Sequence, residues 1–410
     1  MQIARKTVSL LAEHLNEAPV TWIRGARQIG KSTLAQSITN DDRPYLTLDD
    51  ASLYKLAKND PQGFIQGLPN RVVIDEIQLV PELFRAIKFA VDRDRTPGRF
   101  LLTGSTNVFA LAKASESLAG RMQILDLEPL SQVEIEAGTG RFIDRCFAQE
   151  WKMGDSFSTA LTREMLWERV CTGGYPEAVK AKSSKTRDRL FSAYLKTILE
   201  RDVKEITEIT RFKQLPQLLR ILASRSSQIL NRSDVGRVLA IPRTTLDRYF
   251  ALLEAVFLHK PIEAYHADAA IALAKADKIQ LLDTGLAAHL LELDKSDWTS
   301  DLYGHLVESF ICNEVRRLCT WQDRKPALSH FRDKGGREVD IVLDGGRRRG
   351  VIGIEVKAKY GLSPKDFRGL QQLKKVAKAE WNTGIVLYQG ESIIKHEDNW
   401  AIPIQALWEW

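Results

Sequence analysis

The sequence Val20-Thr21-Trp22-Ile23-Arg24-Gly25-Ala26-Arg27-Gln28-Ile29-Gly30-Lys31-Ser32-Thr33 passes from an apolar strand-like run, through a loop bounded by glycines, into a helix-forming segment. Positions 25–32 fit G-x4-G-K-[ST]. In that pattern, loop amides and the positive end of the following helix surround a phosphate. Gly25, Ala26, Arg27, Gln28, Ile29, Gly30, Lys31, Ser32 and Thr33 are therefore the candidate cradle of a nucleoside triphosphate. Lys31 would reach the β- and γ-phosphate oxygens, and the Ser32 hydroxyl would ligate Mg²⁺.

Working outward, residues 72–74 make a short buried strand ending in Asp75-Glu76. A parallel strand delivers such carboxylates to the sheet edge where the phosphate loop sits. Asp75 would hold Mg²⁺ through water, and Glu76 would polarise the attacking water. The next strand, 100–102, leads into Thr103-Gly104-Ser105, where Thr103 or Ser105 would orient that water. Arg121 precedes a further strand and is the candidate arginine finger, acting on a neighbouring copy in a homo-oligomer. Strand-like runs at 20–24, 45–48, 72–74, 100–102 and 122–127 alternate with helical runs at 31–38, 52–58 and 81–91. That alternation predicts a parallel sheet wrapped in helices over residues 1–130.

Composition sets the outer limits. The chain has 410 residues, 44% apolar and 27% charged, which is ordinary for folded globular protein and excludes disordered or fibrous classes. The length predicts several domains. The formal net charge of +6 is mildly basic and permits nucleic acid as a partner without requiring it. The four cysteines share no CxxC spacing and read as reduced core thiols, so a cytoplasmic location is expected. The amino-terminal residues carry no apolar leader and no run is long enough to span a membrane, so no membrane partner is expected.

Residues 20–130 resemble an AAA+ P-loop ATPase core. The strings Arg24–Ser32, Tyr45-Leu-Thr-Leu-Asp-Asp50, Asp75-Glu-Ile-Gln78 and Leu101-Leu-Thr-Gly-Ser105 are similar to the AAA-14 family of prokaryotic ATPases that carry a DUF4143 region. Gly173-Gly-Tyr-Pro-Glu177 and residues 194–202 resemble that family's middle segment. The resemblance implies ATP binding.

From 131 to 295 the pattern is nearly all helical, with helices expected at 162–170, 186–208 and 213–226 and a turn at Gly173-Gly174-Tyr175-Pro176. Within 213–265, a short helix capped by Asn231 or Ser233, a turn at 240–242, a helix over 243–256 and a strand over 257–262 follow the order of a winged helix-turn-helix. Arg243, Thr244, Thr245 and Arg248, at the start of the second helix, are the candidate DNA contacts.

Residues 296–410 return to α/β. A helix over 303–318 precedes strands at 328–331, 338–343 and 351–357, then a helix over 364–378 and a strand over 384–388. If residues 344–350 close a hairpin centred between Arg347 and Arg348, Asp340 and Glu355 oppose each other, and Lys357 shares the Glu355 face. Two carboxylates that close require a cation or a proton between them. Glu308 would complete a metal shell. Glu308, Asp340, Glu355 and Lys357 resemble the PD-(D/E)XK nuclease superfamily, with Val339 where many members have proline. The resemblance implies Mg²⁺-dependent phosphodiester cleavage. Two functions stay open: an ATPase that processes duplex or branched DNA, and an ATP-dependent switch or scaffold whose nuclease-like module only binds DNA or a protein.

Overall fold

The computed structural model describes residues 3–104, 117–157, 161–202, 214–266 and 276–410. Ser105 therefore lies outside the described residues, as does the end of the helix expected over 186–208.

The amino-terminal sheet has five strands in the order β2-β3-β4-β1-β5, namely β1 Val20–Arg24, β2 Tyr45–Thr47, β3 Val72–Asp75, β4 Phe100–Gly104 and β5 Met122–Asp126. Every pairing is parallel. β3 and β4 are buried along their whole length, as expected for strands covered on both faces. Their one orientation gathers Arg24, Thr47, Asp75 and Gly104 at one edge, where the phosphate loop begins. The helices Val8–Glu17 and Pro61–Gln66 add to those expected from the sequence. Asp60 caps the second, accepting from Gly63 N, and proline occupies its first turn.

The middle is helical, as expected. Its helices are Arg163–Thr172, Pro176–Lys180, Ser184–Thr197, Leu215–Ser224, Arg232–Val238, Arg243–Ala255 and Thr284–Leu290. Asn231, and not Ser233, caps Arg232–Val238, accepting from Ser233 N and Asp234 N. Two corrections apply here. The helix from Ser184 stops at Thr197 and continues as a π-helical turn over Ile198–Asp202. Residues 257–262 form no regular strand: Phe257 turns through φ 57°, and His259 and Ile262 make only isolated antiparallel bridges to Leu281 and Lys278. The two helices and the turn between them are present, and the strand expected after them is reduced to these bridges.

The carboxy-terminal sheet has six strands in the order β10-β11-β9-β8-β7-β6. β6 Ala327–Arg332, β7 Glu338–Asp344 and β8 Val351–Lys357 form an antiparallel meander. The helix Arg368–Ala377 then crosses over to bring β9 Trp381–Tyr388 parallel to β8. β10 Ile394–His396 and β11 Asn399–Pro403 complete the sheet and were not expected from the sequence. The loop over 344–350 contains a short helix, Gly346–Arg349, instead of a plain turn.

Segments cross between these layers. Trp410 O accepts hydrogen bonds from Gly140 N and Arg141 N, and the Trp410 ring stacks 6.1 Å from Trp151. Gly154 and Asp155 exchange backbone hydrogen bonds with Ile393. Residues 138–157 thus rest on the carboxy-terminal sheet, beyond the boundary drawn at 130. One continuous apolar core runs from Leu11 and Ile23 to Ile402 and Trp408.

Candidate active site

The phosphate loop needs backbone that bulky residues avoid. Gly30 sits at φ 95° immediately before the helix Lys31–Gln36, in the left-handed region where glycine has no steric cost. Ala26 and Ile29 turn into the core and hold the loop from below. Lys31 is buried, its Nζ donating to Gly25 O at 3.1 Å and Ala26 O at 2.8 Å. Ser32 Oγ donates to Asp75 Oδ1 at 3.2 Å. The hydroxyl and carboxylate expected to share one Mg²⁺ are thus already adjacent, so the residues present fit that ion.

Asp75 is buried and has two further partners. Thr103 Oγ1 donates to its Oδ1 and the Tyr45 hydroxyl donates to its Oδ2. Thr103, one of the two residues expected to orient water, holds this carboxylate. Tyr45 was missed as a site residue; its place at the start of β2 was the only available signal. Burial and the Asp75 carboxylate push the Tyr45 phenol well above its ordinary value, so it remains a donor. Glu76 leaves β3 at φ 57°, and Gln78 Nε2 donates to its carboxylate. Glu76 also lines the cavity at the loop.

A cavity of about 800 Å³ opens at the loop, within the range of small-molecule clefts. Its walls include Ile3 and Val8 on one side and Glu76 on another. Pro176, Lys180 and Thr197, from the helical middle, close it. Arg121 is elsewhere. Its carbonyl accepts from Val20 N at the amino edge of the sheet, opposite the loop, and its guanidinium pairs with Asp92 at 2.6 Å.

The Gly173-Gly174 turn has a structural role. Gly173 sits at φ 68°, and a Cβ there would lie 2.2 Å from Asp283 Oδ1. Asp283 accepts from Gly174 N at 2.7 Å and Leu286 N at 3.0 Å, and pairs with Arg317 at 3.5 Å. Arg317, wholly buried on the helix Tyr303–Cys319, also donates to Leu130 O, Leu282 O and Glu314. Its neighbour Arg316 pairs with Glu128 at 2.8 Å. Burial alone would raise the Glu128 carboxyl, but Arg316 brings it down to about 2. These pairs join the end of the amino-terminal sheet to the carboxy-terminal unit.

On the helix pair, Arg243, Thr244 and Arg248 are exposed and Thr245 is half-buried. Arg243 and Arg232 both pair with Asp247, at 3.1 and 2.9 Å.

In the carboxy-terminal unit the register of β7 on β8 pairs Ile341 with Ile354, so Asp340 and Glu355 fall side by side. Asp340 Oδ2 accepts from Val356 N at 2.9 Å, and Lys357 Nζ meets Glu355 Oε1 at 2.5 Å. Lys278, a residue the sequence did not single out, enters this cluster. Its Nζ donates to Glu308 Oε1 at 2.9 Å and Asp340 Oδ1 at 3.0 Å, and its side chain is 2% exposed. Burial and Asp340 raise Glu355 to about 8, and burial and Asp340 raise Glu308 as well. Asp340 moves down: burial opposes this, but Lys278 and Lys357 outweigh it. Among the described residues no three His, Cys, Asp or Glu side chains form a group that would hold a metal ion. Of the expected metal shell, Glu308 and Asp340 thus meet the Lys278 ammonium and Glu355 meets that of Lys357, an arrangement that does not fit Mg²⁺.

A parallel sheet, a glycine-bounded loop before a helix and two acids at the end of β3 define a P-loop ATPase-type domain. Consistent with that class, residues 17–136 match the AAA_14 family model, described as an AAA domain. Residues 163–297 and 303–407 match two domains of unknown function, DUF8612 and DUF4143. Over 356 residues the chain is 29% identical to uncharacterized protein Rv2008c of Mycobacterium tuberculosis, covering 86% of this chain and 73% of that one. Uncharacterized protein Mb2031c of Mycobacterium bovis matches equally. Among solved structures the chain is similar to the Walker-type ATPase of Pyrococcus abyssi, at 16% identity and a TM-score of 0.42, over 70% of this chain and 95% of that one. No helix among the described residues is long and apolar enough to cross a membrane.

Proposed function

We propose that this chain is an ATP-hydrolysing switch that acts on DNA, with a carboxy-terminal module that binds and does not cut. The observation that carries this reading is the wall of the phosphate-loop cavity, to which Pro176, Lys180 and Thr197 of the helical middle contribute. A nucleotide seated on Lys31 and Ser32 meets those residues directly. Binding and hydrolysis are then felt by the middle region, and through Asp283 and Arg317 by the carboxy-terminal unit.

The steps follow from the residues. Lys31 leaves the carbonyls of Gly25 and Ala26 for the β- and γ-phosphates. Ser32 and Asp75 would hold Mg²⁺, which supplies charge neutralisation on those phosphates. Thr103 and Tyr45 keep Asp75 oriented, and Glu76 takes the proton of the attacking water. DNA is the partner this reading assigns to the exposed Arg243, Thr244 and Arg248 at the start of the second helix of the pair.

Lys278 between Glu308 and Asp340 favours the binding role of the carboxy-terminal module over phosphodiester cleavage. The test is duplex affinity across a salt titration, with no nucleotide, ADP or a non-hydrolysable ATP analogue. An affinity that changes about ten-fold or more between nucleotide states, with a steep salt slope, supports the reading. Equal affinities in all three states contradict it.

A further inference from the structure

We infer that Lys278 is the resident cation of the carboxy-terminal carboxylate cage, and that its side chain is what closes this cage to divalent metal ions. The inference rests on the non-cutting reading of that module and gives it a cause.

Geometry comes first. Lys278 Nζ lies 2.9 Å from Glu308 Oε1 and 3.0 Å from Asp340 Oδ1, which are ammonium–carboxylate distances. Mg²⁺ requires oxygens at about 2.0–2.1 Å in near-octahedral array. The ammonium thus stands between two of the three carboxylates that a metal would use.

Charge gives a second, independent argument. A divalent ion would neutralise two carboxylates and hold both ionised. Here two ammonium groups supply that charge instead: Lys278 meets Glu308 and Asp340, and Lys357 meets Glu355. Glu355 Oε2 is buried without a hydrogen-bond partner among the described residues, although Lys357 holds its other oxygen. That orphaned oxygen marks a donor set larger than the two ammonium groups satisfy.

Lys278 is also part of a mechanical tie. Its backbone bridges both Ile229 and Ile262, beside the helix pair, while its ammonium reaches the β7 carboxylate. The cage therefore fastens the helical middle to the carboxy-terminal sheet.

The experiment is Mn²⁺ binding to nucleotide-free full-length protein, read by the electron paramagnetic resonance of free Mn²⁺ and by the shift in melting temperature. Wild type is compared with Asp340→Asn, Lys278→Met and the double variant. Wild type and Asp340→Asn are expected to bind Mn²⁺ equally. Lys278→Met is expected to gain one site about ten-fold or more tighter than any in wild type, with a melting temperature that rises with Mn²⁺, and the double variant to lose it. Two results overturn the inference: a Mn²⁺ site in wild type that Asp340→Asn removes, or a folded Lys278→Met with no gained site. Should Lys278→Met fail to fold, the wild-type comparison still decides. Nucleotide-dependent DNA affinity plays no part in this readout, so either proposal can fail alone.

Discussion

The Lys31 ammonium donates to the Ala26 carbonyl at 2.8 Å, so the loop holds its own lysine at the position from which it would meet a phosphate. The side chain needs only to exchange two carbonyls for phosphate oxygens, with little reorganisation of the helix behind it. Glu76, whose backbone turns through φ 57°, lines the cavity at that loop with its carboxylate held by Gln78.

Glu76→Gln keeps the shape and removes the base. ATP affinity is expected to stay within about three-fold of wild type while turnover falls about 10²-fold or more. Single-turnover hydrolysis beside a binding isotherm checks this. A variant that turns over normally removes Glu76 from the chemistry.

Tyr45→Phe takes one donor from Asp75 and leaves the ring. Because Thr103 and Ser32 still contact that carboxylate, the loss is partial. The Mg²⁺ concentration for half-maximal turnover is expected to rise about three- to ten-fold, corresponding to about 1 kcal/mol of lost orientation. Titration of Mg²⁺ at saturating ATP measures it.

The carboxy-terminal cage predicts a pH-dependent stability. Glu355 has a folded pKa of about 8, above the unfolded value near 4.5. Below 4.5 it is protonated in both states and costs nothing. Between about 4.5 and 8 only the unfolded chain releases the proton, so native stability falls as pH rises, levelling above 8. Glu355→Gln lacks this proton. Its melting temperature relative to wild type is therefore expected to climb from pH 5 to pH 8. A difference that stays flat over that window contradicts the assignment.

Arg317 is buried between the carboxylates of Asp283 and Glu314 and donates to two backbone carbonyls. Arg317→Met leaves Asp283 and Glu314 as buried carboxylates without their cation, at an expected cost of about 3–5 kcal/mol. Denaturant unfolding measures the loss. The double change Arg317→Met with Glu314→Gln is expected to recover part of it.

The amino-terminal unit was legible because its signals are local. A glycine-bounded loop, a strand ending in two acids and alternating strand and helix each fall within about ten residues. Asp340 and Glu355 were also readable, since hairpin symmetry alone opposes them, even though a short helix replaced the turn. Lys278 was not legible. It lies 30 residues before Glu308 and 62 before Asp340, and nothing in its neighbours marks a buried ammonium. The roles of Gly173 and Arg317 were hidden for the same reason: they depend on Asp283, which long-range packing brings to both. Residues 257–262 carried a strand pattern, but the chain turns at Phe257 and pairs only through isolated bridges. β10 and β11 were missed because tryptophan packing on Trp151 sustains a segment rich in charge.

Calorimetric titration of nucleotide-free protein with ATP and Mg²⁺, against Lys31→Ala, tests the central claim most directly. The account predicts one site per chain in wild type and affinity weakened about 10²-fold or more in the variant. Absence of binding in folded wild type, or equal binding by the two proteins, would contradict it.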